Sequence, residues 1–426
     1  MSIKIGSSKH MDEALLREIS EKYLLPFFSG ATIESAARTS SNSDKLVAFV
    51  NPQVIGYKVH HADTYRLQFR RDQPFAQTSD RARETRVIEA FVEILGGMSQ
   101  ELRGDLKDDL LSTFQRRVVA HALAERGKAK YLLAVIDQMA LWGTRLYEGA
   151  PIASAIGLDP DKAGSSKISL ASVTNNDFGA VLSNGFDTLL VFDGDLRFSR
   201  HEVLDPSISG NGTCPWRHAA IAEWTSGGDG RVAVVLNRLG EILTFRDGQL
   251  LFARRGGVWH FLTHDPVIRQ MGVPKNEAIR RAIYETALDA SFARTGACLG
   301  VVRAGAGRSW EGTISKEDQL TLGLSDKART MSKIIRGRKF HNLERTLRQE
   351  LVAIDGATVI NHEGEVLAVG AILKIDGGST GGGRTAAAKK IARLGLGIKV
   401  SQDGGITAYR PEQGAARSVR TAFSVM

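Results

Sequence analysis

The stretch GGSTGGGRTAAAKK, residues 377 to 390, constrains the local fold more than any other part of the sequence. Five glycines fall among the seven positions from Gly377 to Gly383, too many for a helix or strand to run through them. Alanines and lysines follow at once and favour a helix. A glycine loop that leads into a helix exposes backbone N–H groups, with which proteins often bind phosphate. We therefore expect an anion site here, and the alternative is a plain flexible turn.

The nearest general pattern for such a loop is the P-loop of nucleotide hydrolases. Gly378, Gly383, Arg384 and Thr385 fit its spacing, with arginine in place of the usual lysine. A P-loop protein builds most of its parallel sheet after this loop, and too little chain follows Thr385 for that. Arginine also lacks the compact point charge that lysine supplies. We therefore reject the P-loop assignment.

Length and composition indicate a globular protein with two or three domains. The 426 residues are 42% hydrophobic and 24% charged, which excludes wholesale disorder. Two cysteines, Cys214 and Cys298, are too few for a disulfide framework and suggest a reducing compartment. The sequence contains no apolar run long enough for a signal peptide or a membrane span, so we expect a cytoplasmic protein without a membrane partner. The net charge of +9 would attract nucleotides, but by itself it leaves nucleic-acid binding unsupported.

Periodicity predicts two regions before the glycine loop and its neighbours. Residues 1 to 160 should be mainly helical, with an opening helix from Asp12 to Tyr23, two short strands around Asn51 and Pro52, and three helices within 84 to 147. Residues 161 to 270 should form an antiparallel, β-rich sensor or scaffold region, because short apolar runs alternate with hairpin turns. DFGAV, which begins at Asp177, is predicted as the first strand of this region.

Residues 271 to 412 should form a separate domain of the α/β (α+β) class, with a mixed sheet flanked by helices. Asn276 is a suitable N-cap for the helix EAIRRAIYETALDASFA, and the strand CLGVVRA follows. Next come a basic helical segment from Lys327 to Glu350, a hairpin around Glu363-Gly364, the glycine loop with its helix, and a last hairpin. The basic segment could guide phosphates, although a solvated helix face is the preferred interpretation. We expect residues 413 to 426 to form a mobile basic tail, and Trp259 and Trp310 to be packing anchors.

Three ordered motifs carry a family resemblance. Asp355-Gly356-Ala357 is followed by GGGRTAAA and then by the turn Ser401-Gln402-Asp403-Gly404-Gly405. Over about residues 275 to 410 the chain resembles the diadenylate cyclase domain, which is the nucleotide-binding domain of the DNA integrity scanning protein and its relatives. In that family two domains meet face to face, each holding one ATP. The 3′-hydroxyl of one ATP attacks the α-phosphate of the other, with a divalent metal, to give the second messenger cyclic di-AMP.

The resemblance implies a set of site residues. Asp355 and Arg384 would be catalytic, with Asp355 also holding Mg²⁺ or Mn²⁺ near the ribose 3′-hydroxyl. The chain would act as a homo-oligomer with face-to-face C-terminal domains. The residues implied in binding the nucleotide are Gly356, Ala357, Ser379, Thr380, Gly381, Gly382, Gly383, Thr385, Ser401 and Asp403.

The glycine loop departs from the family pattern, and this leaves two leading hypotheses. Active members carry Gly-Thr-Arg-His-Arg-Ala-Ala, whereas the aligned residues 381 to 387 retain one basic residue, Arg384. The first hypothesis is a metal-dependent nucleotidyltransferase that makes a cyclic dinucleotide from ATP under control of its N-terminal region. The alternative is a catalytically degenerate nucleotide sensor in a signalling or defence system. A nucleic-acid-associated scaffold is a third class, supported by the basic surplus alone.

Overall fold

The structure, a computed structural model, describes most of the chain, which divides into two compact units. The residues described are 13–36, 45–59, 65–76, 84–98, 113–125, 127–161, 166–175, 177–207, 212–374, 382–412 and 418–426. The first unit comprises Met1–Pro151, Arg238–Ile242 and Phe252–Phe261, and the second comprises Ile152–Asn237, Leu243–Leu251 and Leu262–Met426. The domain boundaries expected near residues 160, 270 and 412 stay a prediction.

The first unit contains a small sheet and several helices. Its four-stranded sheet has the order β1-β4-β3-β2, and β5 pairs with β6. The strands are β1 (Ala31–Ser35), β2 (Val47–Asn51), β3 (Val54–Tyr57), β4 (Leu67–Arg71), β5 (Leu146–Tyr147) and β6 (Ala150–Pro151). The helices are α1 (Glu13–Ile19), α2 (Glu84–Met98), α3 (Phe114–Leu123) and α4 (Ala129–Trp142). These bounds confirm the two strands around Asn51 and the three predicted helices. The opening helix continues beyond α1 as a π-helix, Ser20–Leu24.

A seven-stranded sheet follows along the chain, in the order β13-β12-β11-β10-β7-β8-β9. Its strands are β7 (Ser154–Leu158), β8 (Thr188–Phe192), β9 (Phe198–Val203), β10 (Val232–Leu236), β11 (Ile242–Arg246), β12 (Gln249–Arg255) and β13 (Val258–Phe261). The neighbouring helices are α5 (Leu170–Thr174), α6 (Ala219–Ser226) and α7 (His264–Gln270).

One expectation for this region was wrong, and one strand was not foreseen. Within residues 161 to 270, β8 pairs with β9 and β12 with β13 antiparallel, as predicted. The strand β7, which precedes this range, joins the sheet, and its Ile156 pairs with Leu190 of β8 in parallel. The segment Asp177–Val181 forms a 3₁₀ helix instead of a strand. Hairpin turns in a sequence reveal which strands pair through a short connection, whereas a parallel pair joins strands far apart in the chain. The sequence pattern therefore missed the contribution of β7.

The C-terminal part of the second unit is a six-stranded mixed sheet with helices packed against it, which confirms the predicted fold class. The order is β16-β15-β14-β17-β18-β19, and β14 and β15 are parallel. The strands are β14 (Ala297–Val302), β15 (Ala357–Asn361), β16 (Val366–Ala371), β17 (Gly395–Val400), β18 (Ile406–Pro411) and β19 (Val419–Val425). The helices are α8 (Glu277–Ala293), α9 (Asp326–Ile335), α10 (Arg345–Ala353) and α11 (Gly383–Ala392).

Several local predictions for this sheet are confirmed. The Asn276 side chain accepts a hydrogen bond from the Ala278 N–H at 2.9 Å and caps α8. The hairpin around Glu363-Gly364 joins β15 to β16, and the last hairpin joins β17 to β18. Trp259 and Trp310 are 1% and 8% exposed, as expected of packing anchors.

The basic segment and the tail differ from expectation. The segment from Lys327 to Glu350 is two helices, because Arg336 takes a left-handed conformation with φ 54° and ends α9. The expectation of a mobile tail after residue 412 is wrong for the last residues that the structure describes. Residues 419 to 425 form β19, which pairs with β18 and buries Phe423 and Val425. Burial of these apolar side chains stabilises the last strand. No helix in the described parts of the chain has the length and apolar character needed to cross a membrane.

Candidate functional site

A cavity of about 540 Å³ opens beside the six-stranded sheet, and residues from five separate parts of the chain line it. Asp355 and Gly356 contribute from the turn before β15, and Gly383 and Arg384 from the start of α11. Lys327 of α9 and Cys298 of β14 also line the cavity. Two of the three motifs that carry the family resemblance therefore contribute residues to one cavity.

The Asp355-Gly356 turn has a shape that only glycine allows at its second position. Gly356 has φ 106°, and a Cβ there would lie 2.5 Å from the Gly370 carbonyl carbon. Gly370 also has a positive φ of 58°, and a Cβ on it would meet the Asp355 carbonyl oxygen at 2.9 Å. This close approach of the start of β15 to the end of β16 holds the backbone of Asp355 in place.

Asp355 is exposed and lines the cavity. Its Oδ1 accepts a hydrogen bond from the Gly356 N–H at 3.1 Å. That bond orients the carboxylate, so Oδ2 is the oxygen that can accept a hydrogen bond from a substrate hydroxyl or bind a cation. Ala357, the third residue of the motif, is fully buried in the hydrophobic core and does not line the cavity.

Arg384 lies in the first turn of α11, directly after the glycine loop. Gly382 has φ 83° and precedes the helix without a side-chain cap. The half-buried Arg384 guanidinium packs against Gly296, since a Cβ on that glycine would lie 2.8 Å from Nη1. Thr385 is 9% exposed and faces the protein interior. Ser379, Thr380 and Gly381 lie outside the described residues, so their predicted roles stay predictions.

The Cys298 thiol of this cavity is not suited to act as a nucleophile. Burial raises the pKa of Cys298 to about 12, although the nearby charge of Arg384 acts in the opposite direction. The thiol therefore stays protonated at neutral pH, and the thiolate is the reactive form.

Lys327 is the lining residue that the sequence analysis assigned to a solvated helix face. Its Nζ donates a hydrogen bond to the Gly370 carbonyl oxygen at 2.7 Å and pairs with Asp318 Oδ1 at 2.5 Å. Asp318 is 6% exposed and also accepts a hydrogen bond from the Ile372 N–H at 2.8 Å. No local pattern could have found this role, because it depends on the packing of α9 against β16.

Ser401 and Asp403 belong to a turn whose polar groups form hydrogen bonds with one another. The Ser401 hydroxyl donates hydrogen bonds to Asp403 Oδ1 and to the Gly405 carbonyl oxygen, and the Ser401 N–H donates to that same carbonyl at 2.9 Å. The hydrogen bond from Ser401 lowers the pKa of Asp403. Neither residue is among those lining the 540 Å³ cavity. Their assignment to nucleotide binding stays a prediction.

The donor set around Asp355 is compatible with Mg²⁺ or Mn²⁺ bound together with a nucleotide. Within the described residues, no group of three or more His, Cys, Asp or Glu side chains is placed to hold a metal ion. Mg²⁺ often takes one or two protein carboxylates and completes its octahedral shell with substrate phosphates and water. Asp355 could supply such a carboxylate, so metal binding would depend on the nucleotide.

Comparisons with known proteins are weak. No protein-family model matches the chain, and no curated protein matches it significantly. Among solved structures, the chain is similar to a DacA double mutant from Staphylococcus aureus, with 16% sequence identity over 34% of this chain and 86% of that chain, at a TM-score of 0.23. It is also similar to a hypothetical membrane spanning protein from Bacillus cereus, with 16% identity over 34% of this chain and 68% of that chain, again at a TM-score of 0.23. Scores this low carry no functional argument, so any assignment rests on the residues of the chain itself.

Proposed function

We propose that the C-terminal part of the chain binds ATP or a related nucleotide in the 540 Å³ cavity and joins two such nucleotides into a cyclic dinucleotide. The observation that supports this is the meeting of Asp355 and Arg384 in one cavity, although the two residues belong to separate motifs. A carboxylate and a cation in one cavity are the groups that a nucleotidyl transfer needs at its hydroxyl and at its phosphates. The N-terminal region would control this activity.

In this proposal the two side chains have separate roles. Arg384 would donate hydrogen bonds to phosphate oxygens and stabilise the charge that develops there. Oδ2 of Asp355 would accept the proton of a ribose 3′-hydroxyl. The 3′-oxygen would attack the α-phosphorus of a second nucleotide, and pyrophosphate would leave. A divalent metal, when bound with the nucleotide, would supply additional charge neutralisation. Two C-terminal domains must meet for this reaction, so the active form would be a homo-oligomer.

The first test is product formation from ATP. We expect the full chain, incubated with ATP and Mn²⁺, to release a cyclic dinucleotide that chromatography resolves. Asp355→Asn should lower the rate by about a hundredfold or more, because the amide neither accepts the proton nor holds the metal as a carboxylate does.

Asp265→Asn is the matched control for this substitution. Asp265 is an exposed carboxylate in α7, within 3.6 Å of Arg281 and outside the cavity. It should leave the rate unchanged. Absence of product from the wild-type chain, or equal rates for wild type and Asp355→Asn, would contradict catalysis at this site.

A specific observation also supports the second candidate, a non-catalytic nucleotide sensor. Of the two side-chain cations among the described lining residues, Lys327 is already paired with Asp318 at 2.5 Å. Arg384 is then the main charge for phosphate, and a single cation is a weak set for a transition state. Calorimetry separates the candidates, because a sensor would bind ATP at the wild-type cavity and release no product.

A further inference from the structure

The seven-stranded sheet repeats the topology of the C-terminal sheet. In the second unit, β9, β8, β7 and β10 lie side by side in the same order as β16, β15, β14 and β17. The first two strands of each set are parallel to each other, β7 with β8 and β14 with β15. The third strand of each set pairs antiparallel with the second, and the fourth pairs antiparallel with the first. Beyond the fourth strand the sheets also agree, because β11 and β12 follow β10 as β18 and β19 follow β17. The chain therefore contains two copies of one fold.

One helix also has a matching place in the chain order of the two copies. It lies between the third and fourth strands, as α6 in the first copy and α11 in the second. Strand order, the parallel pair and this helix therefore agree between the two copies.

The strand registers give the residue correspondence. Leu158 pairs with Val232, the first residue of β10, as Val302 pairs with Gly395, the first residue of β17. Phe192 is then the parallel partner of Leu158, as Asn361 is the partner of Val302. Counting back along β8 and β15 from these partners places Phe186 where the second copy has Asp355, and Asp187 where it has Gly356.

A second cavity lies at the corresponding place in the first copy. Its volume is about 320 Å³, and its lining residues are Phe186, Asp187, Pro206, Trp216, Arg217 and Ala220. Trp216 begins the 3₁₀ helix Trp216–His218 that leads into α6, and Gly383 begins α11. Each cavity therefore has an arginine from the helical segment between the third and fourth strands, Arg217 in the first copy and Arg384 in the second.

The exchanged residues change the chemistry of the cavity. Phenylalanine stands at the position of Asp355, Trp216 adds a second aromatic side chain, and Arg217 supplies a cation. The lining carboxylate, Asp187, accepts a hydrogen bond from the Asn184 side-chain amide. Arg217 is exposed and lies 5.5 Å from the centre of the Trp216 ring. Aromatic side chains favour flat rings through stacking, and an adjacent guanidinium favours an anionic group. The set fits a flat ligand that carries an anion.

Both aromatic side chains are held in position by other groups of the second unit. Phe186 stacks on the buried His218, with ring centres 5.4 Å apart and an angle of 16°. The Trp216 indole N–H donates a hydrogen bond to Gln349 Oε1 of α10, and its backbone N–H donates to Asp289 Oδ1 at 2.9 Å. Preorganised aromatic groups lose little entropy when a ligand binds.

We propose that the 320 Å³ cavity is a second, non-catalytic ligand site for a flat aromatic ring that carries an anionic group, the chemical class of the nucleotides. Phe186 stands at the position of Asp355, and the Asp187 carboxylate, which also lines the cavity, accepts a hydrogen bond from Asn184. The site therefore binds its ligand without transferring a nucleotidyl group. The proposal rests on the repeated topology and on the lining residues, and it holds whether or not the C-terminal cavity is catalytic.

The experiment measures AMP binding by calorimetry in the full chain carrying Asp355→Asn and Arg384→Ala, which disable the C-terminal cavity. We expect one AMP to bind per chain. Adding Arg217→Ala should weaken binding about tenfold through the lost contact to phosphate, and adenosine should bind more weakly than AMP and be insensitive to Arg217→Ala.

Arg308→Ala, at an arginine whose side chain is 85% exposed in the same unit, is the matched control and should leave AMP affinity unchanged. Circular dichroism establishes that each variant is folded. Absence of AMP binding to the folded double variant, or equal affinity with and without Arg217→Ala, would overturn the proposal. Neither result bears on product formation from ATP, so failure of this site and failure of the proposed catalytic site are distinguishable.

Discussion

Gly356 shows how one residue position can serve both the fold and the candidate site. Its φ is 106°, and a Cβ on it would lie 2.5 Å from the Gly370 carbonyl carbon, so the position excludes any side chain. The same turn presents Asp355 to the cavity, and the Gly356 N–H orients the Asp355 carboxylate. At the corresponding places the first copy has Phe186 instead of Asp355 and Asp187 instead of Gly356. Single residues therefore decide what chemistry each copy of the fold can support.

We predict that Gly356→Ala destabilises the protein. A Cβ would clash with backbone atoms and would force alanine into an unfavourable conformation, at a cost of about 1–3 kcal/mol and a Tm lowered by several degrees. Thermal unfolding followed by circular dichroism measures this change. Gly305→Ala is the control, because nothing lies within 4 Å of the position of its Cβ. Equal Tm values for the two variants would contradict the role of Gly356.

At the scale of elements, a buried histidine connects α7 to β12 and to α8. His264 begins α7, and its Nε2 donates a hydrogen bond to the Leu250 carbonyl oxygen at 2.8 Å. Its Nδ1 accepts a hydrogen bond from the Tyr284 hydroxyl of α8 at 2.7 Å. Burial lowers the pKa of His264 from 6.5 to about 4, because the charged imidazolium would lose its hydration. The folded protein therefore holds this histidine neutral.

A pH dependence of stability follows from that lowered pKa. The unfolded chain takes up a proton on this histidine below about pH 6.5, whereas the folded chain does so only near pH 4. The contribution of His264 is therefore present above pH 6.5 and is lost as the pH falls toward 4, by up to about 1.4 kcal/mol per pH unit.

Denaturant unfolding between pH 7 and pH 4 tests this dependence. His264→Gln should make the decline shallower, because glutamine does not titrate. His362→Gln, at a histidine whose side chain is 40% exposed, should leave the slope as in the wild type. An unchanged slope in His264→Gln would show that other groups cause the decline.

At the scale of the whole molecule, the proposed reaction requires two C-terminal domains to meet. Each domain would present one nucleotide, so a single chain could not complete the product with its C-terminal cavity alone. The first copy of the fold cannot take the place of the second domain, because Phe186 stands where Asp355 would be needed. Association between chains would then limit the rate at low concentration.

We therefore predict that the specific rate of product formation rises with protein concentration until dimers are complete. Rates measured across a dilution series, with sedimentation velocity on the same samples, test this expectation. A constant specific rate in samples that sediment as monomers would rule out a reaction between two chains.

Local patterns were sufficient for much of the C-terminal fold. The Asn276 cap, the hairpin at Glu363-Gly364 and the helix after the glycine loop depend on residues close together in the chain, and the structure confirms them. Short-range hydrogen bonds and apolar periodicity control such elements, so they are visible in the sequence. The same signals placed Asp355 and Arg384 in motifs that the structure brings to one cavity.

Short-range signals in the sequence were thus enough to predict the local elements, the mixed α/β class and two of the side chains that line the C-terminal cavity. Four features are visible only in the folded chain: the parallel pairing of β7 with β8, the place of Lys327 beside Gly370, the pairing of β19 at the sheet edge and the repetition of the fold. These features depend on contacts between residues far apart in the chain. A buried strand requires apolar side chains but no particular ones, so two copies of one fold can diverge until topology is their common feature.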